Sequence, residues 1–114
     1  MAYYRTLLQR SGLSVEVAAS AETVFERLQA QPPDLLLLDL HMPGYDGIEL
    51  TRAVRQLPGQ AHLPVVFLSM ETDPQRQLDA VAAGADEFLV KPVPGSQLRR
   101  ALEIRARRGR ILRR

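Results

Sequence analysis

The sequence predicts an α/β fold, a doubly wound parallel sheet with helices on both faces. Three observations predict it. Strand-like and helix-like segments alternate along the chain with short connections. Two strand segments, LLLL before Asp39 and PVVFLS over 64–69, are unbroken apolar runs, as strands buried on both faces are. Polar side chains also stand at the strand ends, where open α/β sheets gather their ligands.

Each element has its own signal. Residues 3–11 read as part of a helix closed by Gly12. Residues 14–18 alternate around Val15 and Val17 and form a short strand. Ser20 caps a helix in which Ala21, Val24, Phe25 and Leu28 share one face, and Pro32-Pro33 ends it. The leucine strand follows and stops at Asp39, because His41-Met42-Pro43-Gly44 forces a turn. A helix through Leu50, Ala53, Val54 and Leu57 halts near Pro58-Gly59, and the 64–69 strand comes next. Asp73 caps a helix through Leu78, Val81, Ala82 and Ala85, with Gly84 near its end. Residues 87–90 form a last strand before Lys91-Pro92, and a final helix begins around Ser96.

Length and composition narrow the function classes. One domain of 114 residues is expected, with a core over 1–96 and a final helix and basic tail over 97–114. No apolar run approaches the about 18 residues of a membrane span, and the polar start is no secretory signal, so a cytoplasmic protein is expected. The absence of cysteine excludes disulfides, thiolate metal sites and a thiol nucleophile. The net charge of +2 conceals an asymmetry: residues 1–96 carry 7 basic and 12 acidic side chains, whereas 97–114 carry 8 arginines against Glu103. Lys91 is the single lysine beside 14 arginines.

Asp39, Ser69 and Lys91 each stand at a strand end. In a parallel sheet those ends share one edge, so the three converge although about 50 residues separate the outer two. Carboxylate, hydroxyl and ammonium together suit phosphoryl chemistry: the aspartate as acyl-phosphate nucleophile, the lysine and hydroxyl as partners of the phosphoryl oxygens. Taken singly, each has a plainer reading as strand-end cap, satisfied hydroxyl or solvent-facing cation. Asp46 reads as a turn or helix-cap residue rather than a catalytic one, Tyr3 and Tyr4 as facing the core and a neighbouring helix, and His41 and His62 lack partners at metal-ligand spacing.

The residues DLHMPGYDG over 39–47, PVVFLS over 64–69, GAD over 84–86 and FLVKP over 88–92 closely resemble the receiver domain of two-component response regulators. The resemblance covers nearly the whole chain and implies the flavodoxin-like (CheY-like) fold. It implies that Asp39 is the phosphoacceptor for a sensor histidine kinase or phosphotransfer protein. It makes Ser69 the switch hydroxyl, Lys91 the lysine that pairs with phosphate, Phe88 the aromatic switch, and the Lys91-Pro92 bond cis. Mg²⁺ would be held by Asp39 and the main-chain carbonyl of His41. Met70 stands where a small residue is usual, and His41 and Glu71 where the phosphate's lifetime is tuned.

One departure stands out. Such a domain opens with a strand ending in two acidic residues that help hold Mg²⁺; here residues 1–5 are MAYYR and the first strand is missing. Three explanations arise: a chain that begins inside the first helix, a degenerate receiver, or a strand supplied by a partner. Loss of that central strand would leave unpaired backbone groups inside the sheet. Three functions follow: a phosphorelay receiver, not itself an enzyme, controlling partners, a homodimer or an output domain; a phosphate-independent interaction module; or a nucleic-acid binder using the arginine tail. The last is disfavoured because the tail has no docking motif or interleaved aromatics. The tail also resembles the helical connector to an output module such as a diguanylate cyclase, although Gly109 is expected to interrupt a rigid coil.

Overall fold

A computed structural model describes residues 6, 8–41 and 44–113. The expected Met42-Pro43 part of the turn and the placement of Tyr3 and Tyr4 lie outside them. In chain order the elements are β1 (Val15–Val17), α1 (Ala21–Ala30), β2 (Leu35–Leu38), α2 (Gly47–Gln56), β3 (Val65–Ser69), α3 (Pro74–Ala82), β4 (Glu87–Val90) and α4 (Gly95–Arg113). Thr6 and residues 8–10 are also helical, ahead of a turn in which Gly12 takes a φ of +77°.

All strand pairs are parallel, and the described residues form one four-stranded sheet in the order β1-β2-β3-β4. Successive leucines of β2 point to opposite faces and are all fully buried. Leu36 and Leu38 join Val65, Phe67, Val24, Leu28, Ile48, Val54 and Ala80 in one core, under α1, α2 and α3. Leu35 and Leu37 join Val66, Leu68, Leu98, Leu102 and Ala106 in the other, under α4, with Leu8. The doubly wound arrangement follows directly from those uninterrupted apolar strands.

The helix starts are those the sequence signals. Ser20 accepts from Thr23 N–H, Asp46 from Ile48 and Glu49 N–H, and Asp73 from Gln75 N–H; each supplies an acceptor to an otherwise unpaired amide.

Two expectations are corrected. The interior gap does not form, because β1 lies directly against β2, with Val15 opposite Leu35 and Val17 opposite Leu37. The ladder continues at both ends, where Asp34 N–H donates to Ser14 O at 2.7 Å and Ala18 N–H to Leu37 O at 3.1 Å. The backbone groups are satisfied by closing the sheet rather than by leaving a slot. Nor does Gly109 interrupt the last helix, which runs unbroken through it. A Cβ there would lie 2.4 Å from Pro64 Cδ, so glycine is what lets α4 meet the 57–64 loop.

The far end of α4 is clamped beside that contact. Arg110 Nε donates to Asp34 Oδ1 at 3.1 Å and Arg110 Nη2 to Gly12 O at 2.6 Å, while Asp34 is buried and also accepts from Ser14 N–H. This pairing raises the Arg110 pKa. Arg105 pairs with Glu87 at 3.1 Å, and Arg107 and Arg99 with Glu103. Much of the arginine-rich segment is therefore committed to carboxylates of this chain. No helix among the described residues is long and apolar enough to cross a membrane.

Candidate functional site

The three strand-end residues meet at one edge. Asp39 follows the last residue of β2, Ser69 ends β3, and Lys91 follows β4. Lys91 Nζ lies 3.1 Å from Asp39 Oδ2. His41 N–H donates to the other carboxylate oxygen, Oδ1, at 3.0 Å, a turn geometry that aspartate favours. The fully buried Ser69 hydroxyl, at the neighbouring strand end, accepts from Glu71 N–H at 3.3 Å. Lys91 N–H donates to Ser69 O at 2.8 Å, joining the two later strand ends, and the Lys91-Pro92 bond is cis.

The environment of Asp39 contains opposing effects. Burial raises its pKa, but the His41 amide, the Lys91 ammonium and the Ser69 hydroxyl together outweigh burial and hold the carboxyl below its ordinary 3.8. Its ionised form therefore contributes stability that is present above the unfolded carboxyl's pKa and lost as pH falls through the lower folded value. The melting-temperature difference between the protein and Asp39→Asn should accordingly shrink on acidification through that window. A difference that stays constant down to acid unfolding would show that these contacts add nothing net.

Around this centre, His41 Nε2 stands 3.5 Å from Glu71 Oε1, and the other Glu71 oxygen accepts from the amides of Thr72 and Asp73. Met70 is 72% exposed, immediately after Ser69. Phe88 does not join the cluster of ionic and hydroxyl groups. It is partly buried and stacks on Phe67 with centroids 5.6 Å apart, beside an open cleft of about 520 Å³ lined by Pro74, Leu78 and Val81.

Two contributors were not legible as site residues. Tyr45 Oη lies 3.4 Å from both Ala18 O and Asp39 O, linking the tip of β1 to the turn after β2, and burial pushes its phenol up. Gly47 admits the Phe67 ring, whose Cε1 would be 2.7 Å from a Cβ at that position. Both lie in the 39–47 segment, but neither a turn tyrosine nor a helix-start glycine signals such contacts by residue type.

The resemblance implies a Mg²⁺ ion at this centre. Asp39 and the His41 carbonyl supply one carboxylate and one neutral oxygen, and both Asp39 oxygens are already engaged. No group of three metal-binding carboxylates or histidines occurs among the described residues. These residues do not fit a resident Mg²⁺ ion, since the one carboxylate they offer already pairs with the Lys91 ammonium and the His41 amide.

A parallel sheet carries an aspartate, a buried hydroxyl and a lysine on one edge, and a family model for the response regulator receiver domain matches residues 1–103. The chain belongs to that family, the receivers of two-component signalling. It is 44% identical over 93 residues to Protein RcaC of Microchaete diplosiphon, covering 82% of this chain and 14% of that protein. It is 34% identical over 103 residues to the phosphate regulon transcriptional regulatory protein PhoB of Rhizobium meliloti, covering 90% of this chain and 45% of that one. The chain thus spans less than half the length of these curated relatives. Among solved structures, a putative response regulator from Chloroflexus aurantiacus superposes with a TM-score of 0.76 at 31% identity, covering 90% of this chain and 84% of that one. A CheY-like receiver domain protein from Methanospirillum hungatei has a TM-score of 0.80 at 21% identity, over 96% and 86% of the two chains, and establishes likeness of fold.

Proposed function

We propose that the chain is a phosphorelay receiver in which Asp39 accepts a phosphoryl group from a sensor histidine kinase or phosphotransfer protein. The observation that carries this reading is the ion pair of Lys91 Nζ with the Asp39 carboxylate at 3.1 Å, made between two strand ends on the edge where β3 ends in the buried Ser69. An Asp39 carboxylate oxygen attacks phosphorus, and the P–N bond to the donor imidazole breaks. Its electron pair returns to that nitrogen, which takes up a proton. Lys91 stabilises negative charge on the transferring group as a compact point charge. Ser69 donates to one of its oxygens, and the resulting shift alters the packing of Phe88 at the α3–β4 cleft. That change would tune affinity for a partner, a second copy or an output domain.

The test is intact mass spectrometry after incubation with a small acyl phosphate in Mg²⁺-containing buffer. A phosphoryl adduct is expected on the protein and none on Asp39→Asn; an adduct that persists in Asp39→Asn removes Asp39 from the role. A second reading, a phosphate-independent interaction module, is favoured by the single carboxylate at the site. It predicts that the unmodified chain resists the donor altogether and self-associates or binds partners identically with and without a phosphate mimic.

A further inference from the structure

We infer that Lys91 is the standing cation of this site and that these 114 residues hold no divalent ion there. The inference concerns the site of the proposed function; only its second readout rests on Asp39 being the phosphoacceptor.

Charge and geometry around Asp39 carry it. A divalent ion at Asp39 would compete with an ammonium 3.1 Å from Oδ2 and with the His41 amide 3.0 Å from Oδ1. Displacing either leaves a partly buried group without its partner, at a cost that one carboxylate and one carbonyl do little to offset. Mg²⁺ gives up its water reluctantly and is usually held by one or two carboxylates together with phosphate oxygens.

Among the described residues, Asp46 and Glu71, on the loops that follow β2 and β3, already have other partners. Asp46 caps α2 through Ile48 and Glu49 N–H. Glu71 is held by the Thr72 and Asp73 amides on one oxygen and faces His41 with the other. Asp34 and Asp86 precede β2 and β4, at the opposite edge of the sheet. Among the described residues no three carboxylates or histidines are grouped so as to hold a metal ion.

At the tip of β1, the positions nearest the Tyr45 bridge are Ala18 and Ala19, which offer no side-chain ligand.

The first readout is a Mg²⁺ titration of the full chain, followed by the backbone amide resonances of Asp39, His41 and Glu71. Linear, unsaturated shifts through ten millimolar are expected. A curve that saturates within that range and is lost in Asp39→Asn overturns the inference; saturation that survives in Asp39→Asn locates the ion elsewhere and upholds it. The second readout is the rate of adduct formation from the acyl phosphate with Mg²⁺ and with chelator. Equal rates uphold the inference, and a rate many-fold higher with Mg²⁺ overturns it while leaving Asp39 as acceptor. If no adduct forms in either buffer, the phosphoacceptor reading falls, and the titration alone decides the question of the ion.

Discussion

Arg55→Met is expected to destabilise the domain by about 2–4 kcal/mol and to lower its melting temperature by roughly 10 °C or more. The guanidinium is a hub at the edge of the sheet opposite Asp39. Nε and Nη2 donate to Gly84 O at 3.0 and 2.8 Å, Nη1 to Gln60 O and Leu63 O at 3.0 and 2.6 Å, and Nη2 to Asp86 Oδ2 at 3.0 Å. Its side chain is only 18% exposed. Three loop carbonyls would lose their donor, and Asp86, which also fixes Val65 N–H at 2.7 Å, would lose its counter-charge. Methionine retains much of the apolar stem, so the loss reports mainly the polar head. Lysine should recover little, because one ammonium cannot reach acceptors that a planar fork spans. Urea denaturation of the three proteins measures this directly. A change below about 1 kcal/mol would show that water replaces the donors at no great cost.

Gly109→Ala is expected to destabilise the protein, opposite in sign to the usual effect of that exchange inside a helix. Alanine normally gains about 1 kcal/mol over glycine at a helix-interior position. Here the new methyl would lie 2.4 Å from Pro64 Cδ, 2.5 Å from Pro64 Cγ and 3.1 Å from Asp34 O. Relieving such overlap costs about 1–3 kcal/mol or more in a packed region, and it lifts Arg110 from Asp34 at the same time. The clash therefore prevails. Gly95→Ala is the internal control: it lies in the same helix, with nothing within 4 Å of its Cβ, and should be close to neutral. If both variants melt alike, the close approach of α4 to Pro64 is absent in solution.

The contrast between what could and could not be read in the chain follows from the range of each interaction. Caps, strand runs and helix faces depend on neighbours within a few residues, so Ser20, Asp46, Asp73 and the leucines of β2 announce themselves. The convergence of Asp39, Ser69 and Lys91 was legible for a different reason: parallel strands put all their C-terminal ends on one edge. What remained hidden depends on long-range packing. An arginine in a helix looks solvent-facing, yet Arg55 reaches across 29 positions to Gly84. A glycine near the chain's end looks like a helix breaker, yet Gly109 is a contact surface. The direct pairing of β1 with β2 was equally illegible, because strand order is set by which edges find partners and not by local pattern.

The anchoring of α4 has a mechanical consequence. The helix has 19 residues, about 28 Å of rod at 1.5 Å per residue. It starts four residues beyond Lys91 and is fixed near its far end by Gly109 against Pro64 and by Arg110 on Asp34 and Gly12. A rod seated along its length and fastened at its distal end resists swinging; its softer motions are rolling about its own axis and small slides along it. A disturbance at the Lys91 edge would therefore turn the outward face of the rod, where Ile104 is exposed, more readily than it would swing the distal end. Loosening the Arg110 fastening would exchange that torsional response for a bending one.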